Sequence, residues 1–157
     1  MNLYLVECQT AYWCEIMVWV KIFQSKEVVL VGSSYEEVLG VARKEHDKIE
    51  KLTKRQPYIR STYFNKEKVF VSTFWNHIMQ KDRKVRFKRL KLYKAAIDLL
   101  RNTRHDPETI FIKGDLSTLY HRFYGMTKDG IGFCVQVKEE KRNGRKDFMS
   151  VYDRKKP

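Results

Sequence analysis

Residues Leu119–Tyr152 read LYHRFYGMTKDGIGFCVQVKEEKRNGRKDFMSVY, and the turns inside them decide the fold. Asp129-Gly130 and Asn143-Gly144 are strong hairpin signals that divide the stretch into three strands, Leu119–Tyr124, Ile131–Glu139 and Asp147–Tyr152. A two-residue loop at each turn sets Arg122 opposite Val137 and Gln136 opposite Val151, mixing polar and apolar side chains on both faces. A three-residue loop ending on Gly (Lys128-Asp129-Gly130 and Arg142-Asn143-Gly144) is a type I turn with a G1 bulge, in which Gly takes the left-handed position. That register sorts the faces. Phe123, Val135, Val137, Met149 and Val151 share one, and the other carries the rows Tyr120–Lys138–Phe148, Arg122–Gln136–Ser150 and Tyr124–Cys134–Tyr152. A one-residue slip turns a strand's whole apolar set to the wrong side, so the segregation selects the longer loops. The second face is either a solvated sheet surface or a site.

Upstream of this meander, Ile110–Ile112 reads as a further strand, and Asp106-Pro107 closes a helix that begins near Lys81. Lys81–Lys94 (KDRKVRFKRLKLYK) holds eight basic residues and one acid, while Leu90, Tyr93, Ile97 and Leu100 form a helical stripe reaching to about Thr103. A basic amphipathic helix of this kind suits a phosphate backbone or an acidic partner, and Lys84, Arg86, Lys88, Arg89 and Lys91 are its candidate phosphate contacts. Before it, Lys68–Val71 is a short strand, and Ser72 caps a helix with Trp75, Ile78 and Met79 on its apolar side. His77 falls on the opposite side of that helix, as an exposed residue or one facing a cleft.

The first part of the chain reads β-β-β-α. Leu3–Glu7, Tyr12–Phe23 and Glu27–Val31 are the strands, the second apolar on both faces, with Trp13 and Trp19 suited to packing before base stacking. Ser34 and Glu37 form a capping box for a helix carrying Tyr35, Val38, Leu39, Ala42, Ile49 and Leu52 on its apolar side, which Pro57 stops. The reading divides the chain into 1–66, a subdomain of unassigned role, and 67–157, an α+β domain whose antiparallel twisted sheet bears helices on one face.

The net charge is +13, and it is uneven. Residues 1–66 hold 10 Lys/Arg against 8 Asp/Glu, whereas residues 67–157 hold 22 against 11. An excess confined to one half points to a polyanion, with nucleic acid first, and otherwise to a solubilising surface or an acidic protein partner. Cys8, Cys14 and Cys134 form no CxxC pair and the four His are scattered, which argues against a zinc site or a disulfide scaffold and for a reducing compartment. The apolar run Ile16–Val20 is far short of a membrane span, and no basic n-region of a signal peptide precedes it, so the expected place is the cytoplasm. A GxxxxGK loop and paired carboxylates are absent from the sequence, which disfavours a nucleotide hydrolase or a glycosidase.

The second half has a recognisable order: a strand, an Asn76-His77-Ile78 helix start, a long helix closing on Asp106-Pro107-Glu108-Thr109-Ile110, then three strands carrying Arg122-Phe123-Tyr124, Val135-Gln136-Val137-Lys138 and Ser150-Val151-Tyr152. Over about residues 67–157 this resembles the small RNase superfamily that groups barnase, EndoU, colicin-type tRNases and RelE-type toxins, especially phage-associated members. The resemblance implies helices on one face of the sheet and RNA, including tRNA, on the other. It implies metal-independent endonucleolytic cleavage with no cofactor, in which the 2′-OH attacks the adjacent phosphate and leaves a 2′,3′-cyclic phosphate. It also implies, for a toxin, an acidic antitoxin or immunity protein.

On that reading the catalytic candidates are His77, Arg122, Lys138, Ser150 and Tyr152, with Tyr120, Tyr124 and Gln136 contacting RNA beside them. Arg122 suits a phosphate clamp because its planar fork matches phosphate oxygens. Lys138 is a second cation, Ser150 orients the phosphate, and Tyr152 or Tyr124 stacks a base or acts as an acid. His77 is the acid/base candidate because an imidazole titrates near neutral pH. His121 falls on the core-side parity, and His46 and His105 look incidental. No carboxylate falls on the polar face, a departure from a barnase-like Glu base. The alternatives are a non-catalytic RNA- or DNA-binding protein using the same face, or a module whose basic helix docks an acidic protein.

Overall fold

In the computed structural model, which describes residues 21–154, the chain runs β1 (Phe23–Gln24), α1 (Tyr35–Lys51), β2 (Tyr58–Arg60), β3 (Lys68–Phe70), α2 (Ser72–Met79), α3 (Arg83–Lys91), α4 (Tyr93–Asn102), β4 (Glu108–Ile112), β5 (Asp115–Met126), β6 (Gly132–Glu140) and β7 (Arg145–Asp153). The class is α+β. Among the described residues one seven-stranded sheet has the order β1-β5-β6-β7-β3-β2, with β4 also paired to β5. None of the described helices is long and apolar enough to cross a membrane.

The meander forms as β5–β6–β7. At its first turn Gly130 N donates to Thr127 O at 2.9 Å and Thr127 N to Ile131 O at 2.9 Å, and Gly130 has φ +85°, so the loop is the three-residue turn with Gly in the left-handed position. The second turn differs from expectation. Glu140 pairs with Arg145, leaving a four-residue loop closed by Gly144 N on Glu140 O at 2.8 Å. A bulge between Gln136 and Val137 then absorbs the offset. Beyond it the rows Arg122–Gln136–Ser150 and Tyr124–Cys134–Tyr152 stand as the alternation requires, but Val137 now pairs with Phe148 and Lys138 with Asp147. Phe148 therefore belongs to the core face, fully buried, and Met149 is only half-buried. The extra residue puts the larger apolar ring inside.

The sheet is mixed rather than antiparallel: β3 runs parallel to β7 and β1 parallel to β5. Both short strands reach the meander's outer strands through long connections, so no hairpin fixes their direction. The strand expected at Leu3–Glu7 and most of that at Tyr12–Phe23 lie outside the described residues. Glu27–Val31 is not a strand. Its backbone is tied to other elements, with Leu30 N on Lys91 O at 2.9 Å and Val29 N on the Asp129 carboxylate at 3.2 Å. α1 starts with the Ser34–Glu37 capping box but ends at Lys51, ahead of Pro57, where Thr53 closes on the Ile49 and Glu50 carbonyls and Leu52 is left exposed. The boundary at residue 66 does not divide the core of the described residues. β2 pairs with β3, and Leu30, Val38, Ile49 and Ile59 share one buried cluster with Phe74, Tyr93 and Val151.

Two helix details also change. Ser72 is the first helical residue of α2 rather than its cap, and the buried side is Phe74, Trp75 and Ile78 with Met79 exposed. The long basic helix breaks at Leu92, whose N–H closes on Arg89 O at 3.1 Å. The break separates α3, which buries Leu90 alone, from α4, which buries Tyr93, Ala95, Ala96, Ile97, Leu99 and Leu100. The core lies between this helical layer and Phe123, Phe133, Val135, Val137, Phe148 and Val151, with Phe74 and Phe148 stacked at 4.7 Å. Gly125 is needed there: a Cβ would sit 2.5 Å from Phe133 and 2.8 Å from Leu99.

Candidate nucleic-acid interface

Paired residues on neighbouring strands share a face, so registers alone assemble the opposite side of the sheet. One row runs Glu108 (β4), Arg122 (β5), Gln136 (β6) and Ser150 (β7). β3 covers β7 only at Lys146 and Asp147, which leaves the rest of that edge to α3, and Arg89 Nη1 donates to Ser150 Oγ at 2.6 Å. The row is thus polar from end to end, spans roughly 14 Å by strand spacing, and carries a guanidinium in its middle and another at its rim.

Arg122 is half-buried and makes no ion pair, and its inaccessible Nε finds no hydrogen-bond partner among the described residues. A buried donor left unmatched is costly, and an acceptor brought by a ligand is one way such a group is satisfied. Its charge acts on the neighbouring row. Burial pushes the Cys134 thiol up to about 11 and the Tyr152 phenol up to about 12, and Arg122 works against both shifts. Tyr124 is raised by burial and then by its bond to Glu108, to whose Oε2 it donates at 2.6 Å, with the Arg154 guanidinium 4.9 Å from its ring.

Glu108 corrects the expectation of a face without a carboxylate. The strand expected at Ile110–Ile112 begins two residues earlier, so Glu108 pairs with Arg122 and Thr109 with His121. Thr109, β-branched and two residues past Pro107, is the one local signal that extends the strand backward. Tyr120 and Lys138 stand in the next row, where Lys138 Nζ lies 3.7 Å from Glu140 in a largely solvated pair worth little.

His77 does not join these residues. It is exposed in the last turn of α2, and its ring makes no hydrogen bond or ion pair among the described residues. In α3, Lys84 and Lys88 are exposed, Arg86 lies 5.7 Å from the Tyr35 ring with its own Nε unmatched, and Lys91 lies over Phe87. Arg89 alone of these five is bonded to the polar face. His121 is on the helix side, buried between Thr109 Oγ1 (2.9 Å) and Glu139 Oε2 (2.7 Å). His46 is not incidental, because its Nδ1 meets the buried Tyr93 hydroxyl at 3.1 Å and its ring packs on Trp75. Comparison with family models, with curated proteins and with solved structures gives no match.

Proposed function

We propose that the protein is a metal-independent endoribonuclease of toxin-like type, working in the cytoplasm on the open face of the meander. The observation that carries the reading is Arg122, an unpaired and partly buried guanidinium set between Glu108 and Gln136 on a sheet face rimmed by Arg89 and three tyrosines. An orphan Arg fork is matched by a phosphate with two oxygens to offer. With the phosphate on Arg122, Glu108 accepts the 2′-OH proton as the 2′-oxygen attacks phosphorus. The bond to the 5′-oxygen breaks, and Tyr152, held protonated by burial, supplies the proton that oxygen needs. The products are a 2′,3′-cyclic phosphate and a 5′-OH. Gln136, Ser150 and Lys138 contribute donors to the phosphate, and Tyr120 and Tyr124 offer ring faces to flanking bases. An acidic antitoxin or immunity protein seated on this face would block it.

The test is incubation with total tRNA and an unstructured RNA in excess EDTA, followed by end-group analysis. Discrete fragments ending in cyclic phosphate are expected, slowed about 10²–10³-fold by Arg122→Ala and about 10²–10⁴-fold by Glu108→Gln. Fragments with other ends, or variants as fast as the wild type, overturn the assignment. A second reading, RNA binding without cleavage, is favoured by one observation: among the described residues no imidazole stands on the row, His77 being on α2 and His121 on the opposite face. Salt-sensitive RNA binding without fragments selects it.

A further inference from the structure

The polar face does not stop at β7. Lys138 pairs with Asp147, Asp147 with Phe70 and Phe70 with Tyr58, so the two aromatic residues of β3 and β2 stand on the same face as Arg122. Their neighbours on the other parity, Ile59 and Val69, are buried in the core. Between this corner and the end of α1 lies an open cleft of about 930 Å³, lined by Lys54, Arg55, Gln56, Tyr58, Lys68 and Phe70 among others. No carboxylate lines it, and Lys54, Arg55 and Lys68 are exposed and make no ion pair among the described residues, Lys68 lying 4.6 Å over the Tyr58 ring.

We propose that this cleft is a second nucleic-acid subsite, holding a further nucleotide of the same single RNA strand that Arg122 clamps; the inference rests on the reading of the polar face as the RNA face. From Arg122 to Phe70 is three strand spacings sideways and two residues along, roughly 16 Å, a reach that a few linked nucleotides bridge. The cleft offers a base what Arg122's row lacks. The rings of Tyr58 and Phe70 meet edge to face at 6.2 Å, and the Arg145 guanidinium lies 4.1 Å over Phe70. Asp147 holds Arg145 at 3.0 Å and Gln56 holds it at 3.1 Å, so the guanidinium is a fixed plate on which a base stacks. Capping two rings with Lys68 and Arg145 explains those two cations, since such pairs contribute modestly at exposed sites. It does not explain Lys54 and Arg55, which line the same cleft and make no ion pair among the described residues. A guanidinium plate backed by Phe70, together with cations that make no ion pair, selects a single strand, because a duplex hides the faces of its bases.

The test is anisotropy titration of the full chain with labelled 2′-O-methyl RNA, which resists attack by its own 2′-oxygen, as a long unstructured oligomer and as a dinucleotide. Phe70→Ala is expected to weaken the oligomer about tenfold, the effect of losing one stacked base, and to leave the dinucleotide unchanged. The double variant Lys54→Glu/Lys68→Glu alters only exposed side chains, so it tests the cleft without the fold. It should weaken the oligomer further and flatten the dependence of affinity on salt. Oligomer binding equal to the wild type in both variants overturns the subsite, and so does equal weakening of oligomer and dinucleotide. The two proposals fail separately. Cleavage that depends on Arg122 with unaltered oligomer binding in these variants removes the subsite alone, whereas weakened oligomer binding in a protein that cleaves nothing keeps the subsite and removes the enzyme.

Discussion

The two faces of the β5–β6–β7 meander are written by alternate residues of the same strands, yet they behave oppositely. On the helix side Phe123, Val135, Val137, Phe148 and Val151 are buried against α2–α4, and each ring finds a partner ring or an aliphatic neighbour. On the open side Arg122 has a donor with no acceptor, and Tyr124 and Glu108 are bonded to each other at a half-covered surface. One face is saturated and the other is not. Folding is satisfied by the first, so Arg122, the unsatisfied group on the second, is one that folding does not account for. If this division is sound, variants on the two faces separate stability from RNA chemistry.

The largest separation is expected from Phe148→Ala. The ring is fully buried and stacked flat on Phe74, so its removal leaves a cavity and costs about 3–5 kcal/mol. In a chain of this size that lowers Tm on the order of 10 °C. RNA affinity below the melting range should be unchanged, in contrast to Arg122→Ala, which should leave Tm alone and abolish most turnover. Thermal denaturation beside RNA titration reads both. A Phe148 variant that is stable but fails to bind RNA would collapse the distinction between the faces.

The same position shows how much of the fold the sequence carries. Alternation along Phe123, Val135 and Val151 is strict, and Gly130 announces its turn, so the rows through Gln136 and Cys134 are legible in the sequence. Phe148 and Met149 are not. Both are large and apolar, and only the four-residue turn with its compensating bulge decides which one faces inward. The site is legible in its centre and not at its edges. Arg122, Gln136 and Ser150 follow from parity, while Glu108 depends on where β4 begins and Arg89 on how α3 reaches the edge of β7. His77 is a candidate only by the titration range of an imidazole, a property of the residue type that says nothing of where α2 lies.

A smaller effect is expected at Gly125, which lies on the helix-side parity with no side chain to bury. Gly125→Ala puts a methyl against Phe133 and Leu99, both fully buried in the core, so one of them must shift. Overpacking of this kind costs about 1–3 kcal/mol. Urea unfolding should show a lowered midpoint with unchanged slope, and RNA cleavage at low temperature should persist. A midpoint equal to the wild type would mean that the helical layer yields more easily than the dense packing around Phe133 implies.

The smallest effect is a pH dependence that belongs to the helical layer alone. His46 lies against Trp75 and the Tyr93 hydroxyl, and burial lowers its pKa from the ordinary 6.5, opposed by Glu50 and Asp47 and assisted by Arg43. The native state therefore binds this proton less readily than the unfolded chain does. As pH falls through 6.5 the unfolded state gains a proton that the native state resists, so stability drops, and the loss levels off below the native pKa. Urea midpoints taken on either side of that window should differ more for the wild type than for His46→Gln, which keeps a polar group beside Tyr93 but has no proton to gain. The carboxylates are common to both proteins and cancel in the comparison. If the two respond alike to pH, the neighbouring acids Glu50 and Asp47 offset the burial, and His46 is a packing residue without a titration. Either way the polar face should not sense the change, because His46 bonds to the core side of α4 and not to the row that holds Arg122.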